Sequence, residues 1–416
     1  MSSDKELDWI ETTIGEQVTL QRGFDITKAN QKAGSVPVVS SGGINSYHDS
    51  YKVAGPGVVL GRKGVVGSVY YLNKNFWPHD TTLWVKDFHG NSEIFTYYFF
   101  LSYAKELSAL DVGSANPTLN RNHVHPIRVK WPPLHQQLAI ADFLYSLDER
   151  ISLLQETNAT LEAIAQALFK SWFVDFDPVR AKAEGRQPEG MDTATAALFP
   201  DSFEESELGL VPKGWRVLPF IETISVIGGG TPKTSIPEYW NGDIPWFSVV
   251  DAPNASDVFV IDTEKHISSE GLKNSSTKLL PVGTTIISAR GTVGRLALVG
   301  CEMAMNQSCY GLRGKSEDVY FTYFSTFRLV ESLKQRAHGS VFDTITRDTL
   351  AGVTVTYPVE QLVFAFENLL SPLMEQVKEN LRKAQTLTQL RDTLLPRLIS
   401  GQLRLPEAEA LIKEAV

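Results

Sequence analysis

Apolar residues recur along two stretches of this chain at spacings that alternate between four and three. In the first, Ile140, Leu144, Leu147, Ile151, Leu154, Leu161, Ala165, Leu168 and Trp172 keep the pattern, and only Asn158 interrupts it. The second reads Phe366, Leu370, Leu373, Val377, Asn380, Ala384, Leu387, Arg391, Leu394 and Leu398. A 3.5-residue period is that of a coiled-coil seam. Ser146 followed by Glu149 has the form of a capping box, and Ser371-Pro372 places a cap before a first-turn proline. The pattern therefore predicts helices over about 147–172 and 372–395, with Pro396 ending the second. At 1.5 Å per residue they measure roughly 39 and 36 Å. A polar residue in such a seam sets register at a cost in stability. Asn158 and Asn380 either have that role or simply face solvent from slipped positions.

Ahead of each helical stretch the pattern changes. Residues 8–134 and about 213–358 are rich in short β-type runs broken by Gly and Pro, such as Val36-Pro37-Val38-Val39-Ser40, Gly57-Val58-Val59-Leu60 and Thr284-Thr285-Ile286-Ile287-Ser288. Such runs predict compact, mainly β domains, with helical stretches near 94–109 and 320–336. The similarity of the two halves goes further. From about residue 80 to 173, a fixed shift of 226 lays Ile94-Phe95-Thr96-Tyr97-Tyr98 on Tyr320-Phe321-Thr322-Tyr323-Phe324 without gaps. Thr118 and Arg121 fall on Thr344 and Arg347, and Val129, Trp131 and Pro132 on Val355, Tyr357 and Pro358. A chain that duplicates a large unit gains two similar surfaces, which suits a two-part target better than one catalytic pocket. The expected architecture is α+β: two mainly β domains, each followed by a long helix, the helices pairing as an antiparallel coiled coil with pseudo-twofold symmetry. The expected boundaries are 1–145, 146–212, 213–365 and 366–416.

Charge refines this organisation. The chain carries 39 Lys+Arg and 48 Asp+Glu, net −9. Residues 146–212 alone hold 5 basic and 13 acidic residues, whereas 1–145 are neutral with 13 of each. The repeated domains are thus free to present basic faces, and the overall charge does not exclude nucleic acid. The charged start Met1-Ser2-Ser3-Asp4-Lys5-Glu6 lacks an apolar leader core, and no apolar run reaches the roughly 18 residues of a membrane span, so a cytoplasmic protein with no membrane partner is expected. Cys301 and Cys309 are too few for a structural zinc site and read as small core residues in a reducing compartment.

Catalytic motifs fail on inspection. Trp131-Pro132-Pro133-Leu134 has only the prolines of the amino-methyltransferase tetrapeptide. Gly228-Gly229-Gly230-Thr231-Pro232-Lys233-Thr234 has Pro232 where a phosphate loop needs Gly before Lys. Gly55-Pro56-Gly57-Val58-Val59-Leu60 lacks the last glycine of a dinucleotide fingerprint, and His123 and His125 have no Cys or carboxylate partner nearby in sequence.

The segment Leu168-Phe169-Lys170-Ser171-Trp172-Phe173-Val174-Asp175-Phe176-Asp177-Pro178-Val179, with Gly190-Met191-Asp192, Leu198-Phe199-Pro200 and Pro212-Lys213-Gly214-Trp215, resembles the central region of type I restriction–modification specificity subunits. Leu390-Arg391-Asp392-Thr393-Leu394-Leu395-Pro396-Arg397-Leu398-Ile399-Ser400-Gly401 resembles the family's distal region, and the order of domains matches over the whole chain. The resemblance implies two target recognition domains, each reading half of a bipartite, asymmetric sequence in double-stranded DNA. It also implies a helical spacer, two methyltransferase subunits held by the central and distal regions, and restriction subunits joining them. The chain itself would be non-catalytic and without cofactors, with S-adenosylmethionine, ATP and Mg2+ on the partner subunits. Phe169, Trp172, Phe173, Phe176, Leu394, Leu395 and Leu398 are the expected subunit contacts. Rods of roughly 36–39 Å match about one turn of B-DNA.

DNA contact is then expected at loops that recur in both halves. Arg62-Lys63-Gly64-Val65-Val66-Gly67 matches Ala289-Arg290-Gly291-Thr292-Val293-Gly294, followed by Arg295. A cation on a glycine turn lets the backbone approach phosphate while the side chain reaches a base edge; the alternative is a tight turn with a solvated cation. Asn116, Thr118, Asn120 and Arg121, matched by Phe342, Thr344, Thr346 and Arg347, form a second polar loop. Asn306 and Gln307, opposite Asp80 and Thr81, have adenine-pairing side chains, and Lys233 adds a cation. A free-standing DNA-binding regulator of the same build is the alternative function.

Overall fold

Two helices of 40 residues each, Leu134–Phe173 and Glu360–Ile399, are the longest elements in a computed structural model that describes residues 8–109, 118–253, 257–336 and 344–415. Their limits lie 226 positions apart at both ends. Each is roughly 60 Å long at 1.5 Å per residue, well beyond the rods expected from the seam alone. Ser146 does not cap the first helix; it lies inside it, and its hydroxyl donates back to the Phe143 carbonyl at 2.7 Å. Ser371-Pro372 likewise lies inside the second helix. The true starts follow Pro132-Pro133 and Pro358, where a missing N–H costs nothing. Pro396 does not end the second helix, which runs on to Ile399, with Gly401 at φ +73° just beyond it. An interior proline costs about 3 kcal/mol. Here Leu394, Leu395, Leu398 and Ile399 are all buried, and each fully buried apolar side chain contributes about 1.5–3 kcal/mol.

The chain divides into two compact units, one of residues 1–153 and 383–416, the other of residues 154–382. In the first, Ile140, Ala141 and Leu144 share a core with Leu394, Leu395 and Leu398, and with Phe95, Phe99 and Trp131. In the second, Ala165, Phe169, Trp172 and Phe173 share a core with Leu362, Val363, Phe366 and Leu370, and with Phe321, Phe324 and Tyr357. In both, the N-terminal half of one long helix packs on the C-terminal half of the other, so the pair is antiparallel. The cores repeat in detail. Phe95 meets Trp131 edge-on at 5.4 Å, and their counterparts Phe321 and Tyr357 do the same at 5.4 Å.

Polar residues in the seam are partnered. Asn158 and Asn380 are buried; Asn380 Nδ2 donates to Asn158 Oδ1 at 3.0 Å, Asn158 Nδ2 to the Val377 carbonyl at 3.0 Å, and Gln376 Nε2 to Asn380 Oδ1 at 2.7 Å. Their repeat counterparts, Ala384 and Leu154, are apolar, so the pair marks one register once. Arg391 donates to Asp148 at 2.5 Å, and Tyr98 donates to the other oxygen of that carboxylate at 2.5 Å. One repeat away these three positions are Ala165, Met374 and Phe324, all buried in the apolar core of the other unit. A polar triad in one copy is thus an apolar triad in the other.

The β-parts also correspond. Ile10–Thr13 pairs antiparallel with Arg128–Trp131, as Arg216–Pro219 does with Thr354–Tyr357. The order Thr19–Arg22, Thr82–Asp87, Gly57–Gly61, Val69–Leu72 forms a four-stranded sheet. Its counterpart, Ile224–Gly228, Cys309–Gly314, Thr285–Ser288, Leu296–Val299, gains a fifth strand, Phe259–Val260. Register corrects the constant offset. Leu60 faces Leu83 and Ile287 faces Tyr310, a shift of 227. Leu20 pairs with Val85 and Thr19 with Asp87, skipping Lys86, whereas Val226 and Ser225 pair with Leu312 and Arg313 in succession. The bulge at Lys86 is one extra residue in the first copy, and from Asp87 onward the shift is 226. Asp80 and Thr81 therefore correspond to Gln307 and Ser308, not to Asn306 and Gln307.

Both thiols are free, and burial pushes the Cys309 pKa up to about 12. Among the described residues no helix is long and apolar enough to cross a membrane.

Candidate nucleic-acid interface

The turn after strand Gly57–Gly61 holds Gly64 and Gly67 at φ +82° and +81°, and that after Thr285–Ser288 holds Gly291 and Gly294 at +77° and +78°. Only glycine adopts this region readily. A Cβ on Gly67 would also meet the Ala104 carbonyl oxygen at 2.6 Å. The turn bends the cationic position against the second polar loop. Lys63 bridges Thr118 and Leu119 N donates to the Arg62 carbonyl at 2.9 Å; equivalently, Arg290 bridges Thr344 and Ile345 N donates to the Ala289 carbonyl at 2.9 Å. Two loops distant in sequence are thus joined in the same way in each unit.

The flanking cations are positioned too. Arg121 donates to the Leu20 carbonyl at 3.4 Å, and Arg347 to its counterpart Val226 at 3.3 Å. In the first unit Arg22, Arg62, Thr118, Asn120 and Arg121 line a hollow of about 510 Å³. Burial, then the nearby Arg22 guanidinium, push the Arg62 pKa down, although Asp80 opposes them. The group stays charged. Arg62 Nη1 donates to the Asp80 carbonyl at 3.1 Å, and Arg22 Nη2 to the Asp80 carboxylate at 2.8 Å. Burial works against that carboxylate, but the Arg22 hydrogen bond and the neighbouring positive charges outweigh it and lower its pKa. The composition of this corner differs between copies. Arg22, Arg62 and Asp80 correspond to Gly228, Ala289 and Gln307.

Other expected contacts are occupied within the chain. Asn120 caps the helix Arg121–Val124 by accepting from Asn122 N at 3.0 Å, as Thr346 caps Arg347–Ala351. Arg295 donates to the Ala252 and Pro253 carbonyls at 3.2 and 2.7 Å, so its guanidinium braces a second loop of the same domain. Asn306 Oδ1 closes a turn on Ser308 N at 3.0 Å, and Gln307 accepts from the Thr231 hydroxyl. Lys233 and Arg290 are exposed. Asn116 and its counterpart Phe342 lie outside the described residues. His125 Nε2 accepts from Leu20 N at 3.0 Å.

The aromatic and leucine set expected to meet a partner is turned inward. Phe169, Trp172, Phe173, Leu394, Leu395 and Leu398 are buried in the two cores, and Phe176 is half-buried against Trp215. A 3.5-residue stripe of large apolar side chains covers the partner helix first. Exposed apolar surface lies elsewhere on these helices. Leu138 and Phe364, one repeat apart, are 47% and 67% exposed.

Sequence reasoning missed Arg22, His79 and Asp80. Arg22 ends a strand without a motif, and its counterpart is glycine, so the repeat hides it. Asp25, His79 and Asp80 bring one ligand-type atom each within 4.8 Å of one another, but Arg22 already neutralises the Asp80 carboxylate.

Residues 6–163 and 212–365 match the family model of the type I restriction modification DNA specificity domain. Over 330 residues the chain is 28% identical to the HindI type I restriction enzyme specificity subunit of Haemophilus influenzae, covering 69% of this chain and 71% of that one. A 160-residue stretch is 33% identical to the MjaIX specificity subunit of Methanocaldococcus jannaschii, covering 38% and 37% respectively. The fold is similar to the crystal structure of a type I restriction–modification system S subunit from M. genitalium, with a TM-score of 0.61 at 17% identity, over 96% of this chain and 98% of that one.

Proposed function

The chain belongs to the family of type I restriction–modification DNA specificity subunits, and we infer that each of its two target recognition domains reads one half of a bipartite, asymmetric DNA sequence. It is the specificity component, non-catalytic in itself, of a type I restriction enzyme. The observation that carries the reading is the repeated joint of glycine turn and polar loop, Lys63 on Thr118 and Arg290 on Thr344. A turn that brings backbone and cation forward together suits phosphate positioning with base-edge readout beside it. Divergence around a common joint, as at Arg62/Ala289 and Asp80/Gln307, favours two different half-sites.

In this reading the paired helices set the untouched gap between the half-sites. The regions around residues 146–212 and 366–416 hold two methyltransferase subunits, and through them restriction subunits. S-adenosylmethionine belongs to the methyltransferases, and ATP and Mg2+ to the restriction subunits. Leu138 and Phe364 lie just ahead of these two regions, and exposed apolar side chains at equivalent positions of two repeated helices extend the proposed contact to two copies of one partner.

Methylation sequencing of DNA from cells co-expressing this chain with its methyltransferase tests the reading. The expected result is a bipartite motif with a fixed gap, of which Arg290→Ala relaxes one half only. Equal losses in both halves, or an unchanged motif, would count against it.

A further inference from the structure

We propose that Arg22, oriented by Asp80, reads a guanine in the half of the target recognised by the unit that contains residues 1–153. This rests on the glycine-turn face being the DNA surface. Arg22 ends the strand Thr19–Arg22 and lines the same hollow as Arg62, Thr118 and Arg121. Its side chain is 57% exposed, yet one edge of the guanidinium is held by Asp80 Oδ2 at 2.8 Å. Asp80 is itself fixed from two other sides. His79 Nδ1 lies 3.1 Å from Oδ1, and Arg62 donates to the Asp80 carbonyl at 3.1 Å.

Two consequences follow from this clamp. A guanidinium held along one edge loses less freedom on binding than a loose one, and its planar fork matches the O6 and N7 acceptors of guanine. The Asp80 carboxylate repels phosphate, so the pair is poorly suited to gripping the backbone and better suited to a base edge in the major groove. Lys63, exposed on its turn, has no such clamp among the described residues and suits phosphate as a point charge. The second unit cannot repeat the device. There the three positions are Gly228, Gln307 and Asn306, so a guanine reader of this kind belongs to one half-site alone.

The test compares methylated motifs from cells making the full chain and its methyltransferase, with wild type, Arg22→Ala, Arg22→Lys, Asp80→Ala, Arg62→Ala and Arg290→Ala. The half-site altered by Arg62→Ala is expected to contain a G·C pair. Arg22→Ala and Arg22→Lys should both make that pair degenerate, with a loss of discrimination of about ten- to a hundredfold, and leave the other half intact. Asp80→Ala should weaken discrimination at the same pair. Because Arg22→Lys keeps charge and solubility but loses the fork, full specificity in that variant would overturn the assignment, as would relaxation at an A·T pair. Should Arg62→Ala and Arg290→Ala also leave the motif unchanged, the DNA face itself has been misplaced, whereas a change in those two alone removes only Arg22.

Discussion

Asn158 and Asn380 provide a quantitative test of why a long apolar seam keeps a polar pair. Both are almost fully buried, at 2% and 4% exposure. Truncating Asn380 to Ala removes the donor to Asn158 Oδ1 and the acceptor for Gln376. Truncating Asn158 leaves the buried Asn380 Nδ2 without its acceptor and releases the Val377 carbonyl. A buried polar group left unsatisfied costs about 1–3 kcal/mol, so each single variant should lose on the order of 2 kcal/mol. The Asn158→Ala/Asn380→Ala double variant removes both sides at once, and its loss should fall short of the sum by about 1–2 kcal/mol. Replacing both by Leu fills the space with seam-like side chains. That variant should match or exceed wild-type stability while losing the buried amide pair that marks one register from its neighbours. Urea unfolding of the full chain, followed by tryptophan fluorescence, measures the losses, and an expected 2 kcal/mol corresponds to a drop in Tm of about 4–8 °C for a unit of this size. Single losses below about 0.5 kcal/mol that simply add would show that the two amides are solvated and do not set register.

Glu162 makes stability depend on pH in a defined direction. It is buried, accepts from Val258 N at 3.1 Å, and its pKa is pushed up to about 8 by burial and then by the Asp257 charge. A carboxyl whose folded pKa is raised contributes its full stability below the unfolded value near 4.5 and loses it as pH rises through about 8. Glu162→Gln keeps the acceptor without the charge, so it should match wild type near pH 4.5 and exceed it by on the order of a few kcal/mol above pH 8. Parallel stability curves for the two proteins would refute the shift. On the surface, Leu138→Asp and Phe364→Asp should each reduce the methyltransferase subunits retained from two to one by native mass spectrometry, and the double variant should retain none. A double variant that still holds two would remove these positions from the interface.

Much of the architecture is legible from side-chain pattern alone. The 3.5-residue ladder located both helices and their seam, because an apolar stripe at that spacing is buried when two helices pair as a coiled coil, and the repeat of the two halves suggested that they run antiparallel. Duplication was equally plain, since Phe95 and Phe321, or Trp131 and Tyr357, fill equivalent places in two separate cores. Helix limits were not legible. Ser146 and Glu149 have the composition of a cap, yet the preceding turns bury Ile140 and Leu144 against Trp131 and Phe99, and that packing extends the helix through a local signal that reads as a start. The burial of the expected interface residues has a related cause. Phe169, Trp172 and Leu398 are large and apolar whether they meet a partner chain or the chain's own core.

Of the candidate site, sequence brought forward both glycine turns and both polar loops, through their recurrence at matching positions. Left-handed glycines and a cation beside them are local chemistry, and they survive as pattern. That Lys63 meets Thr118, that Arg295 is drawn to the Ala252 and Pro253 carbonyls, and that Arg22 and Asp80 share one corner are facts of register between distant strands. The bulge at Lys86 moves the equivalences from Gly57 to Val85 by one residue, and no residue type announces it. Periodicity and repetition are properties of the chain; which side chains face each other across a sheet is fixed only when tertiary packing selects one register and makes the others leave polar groups unpaired.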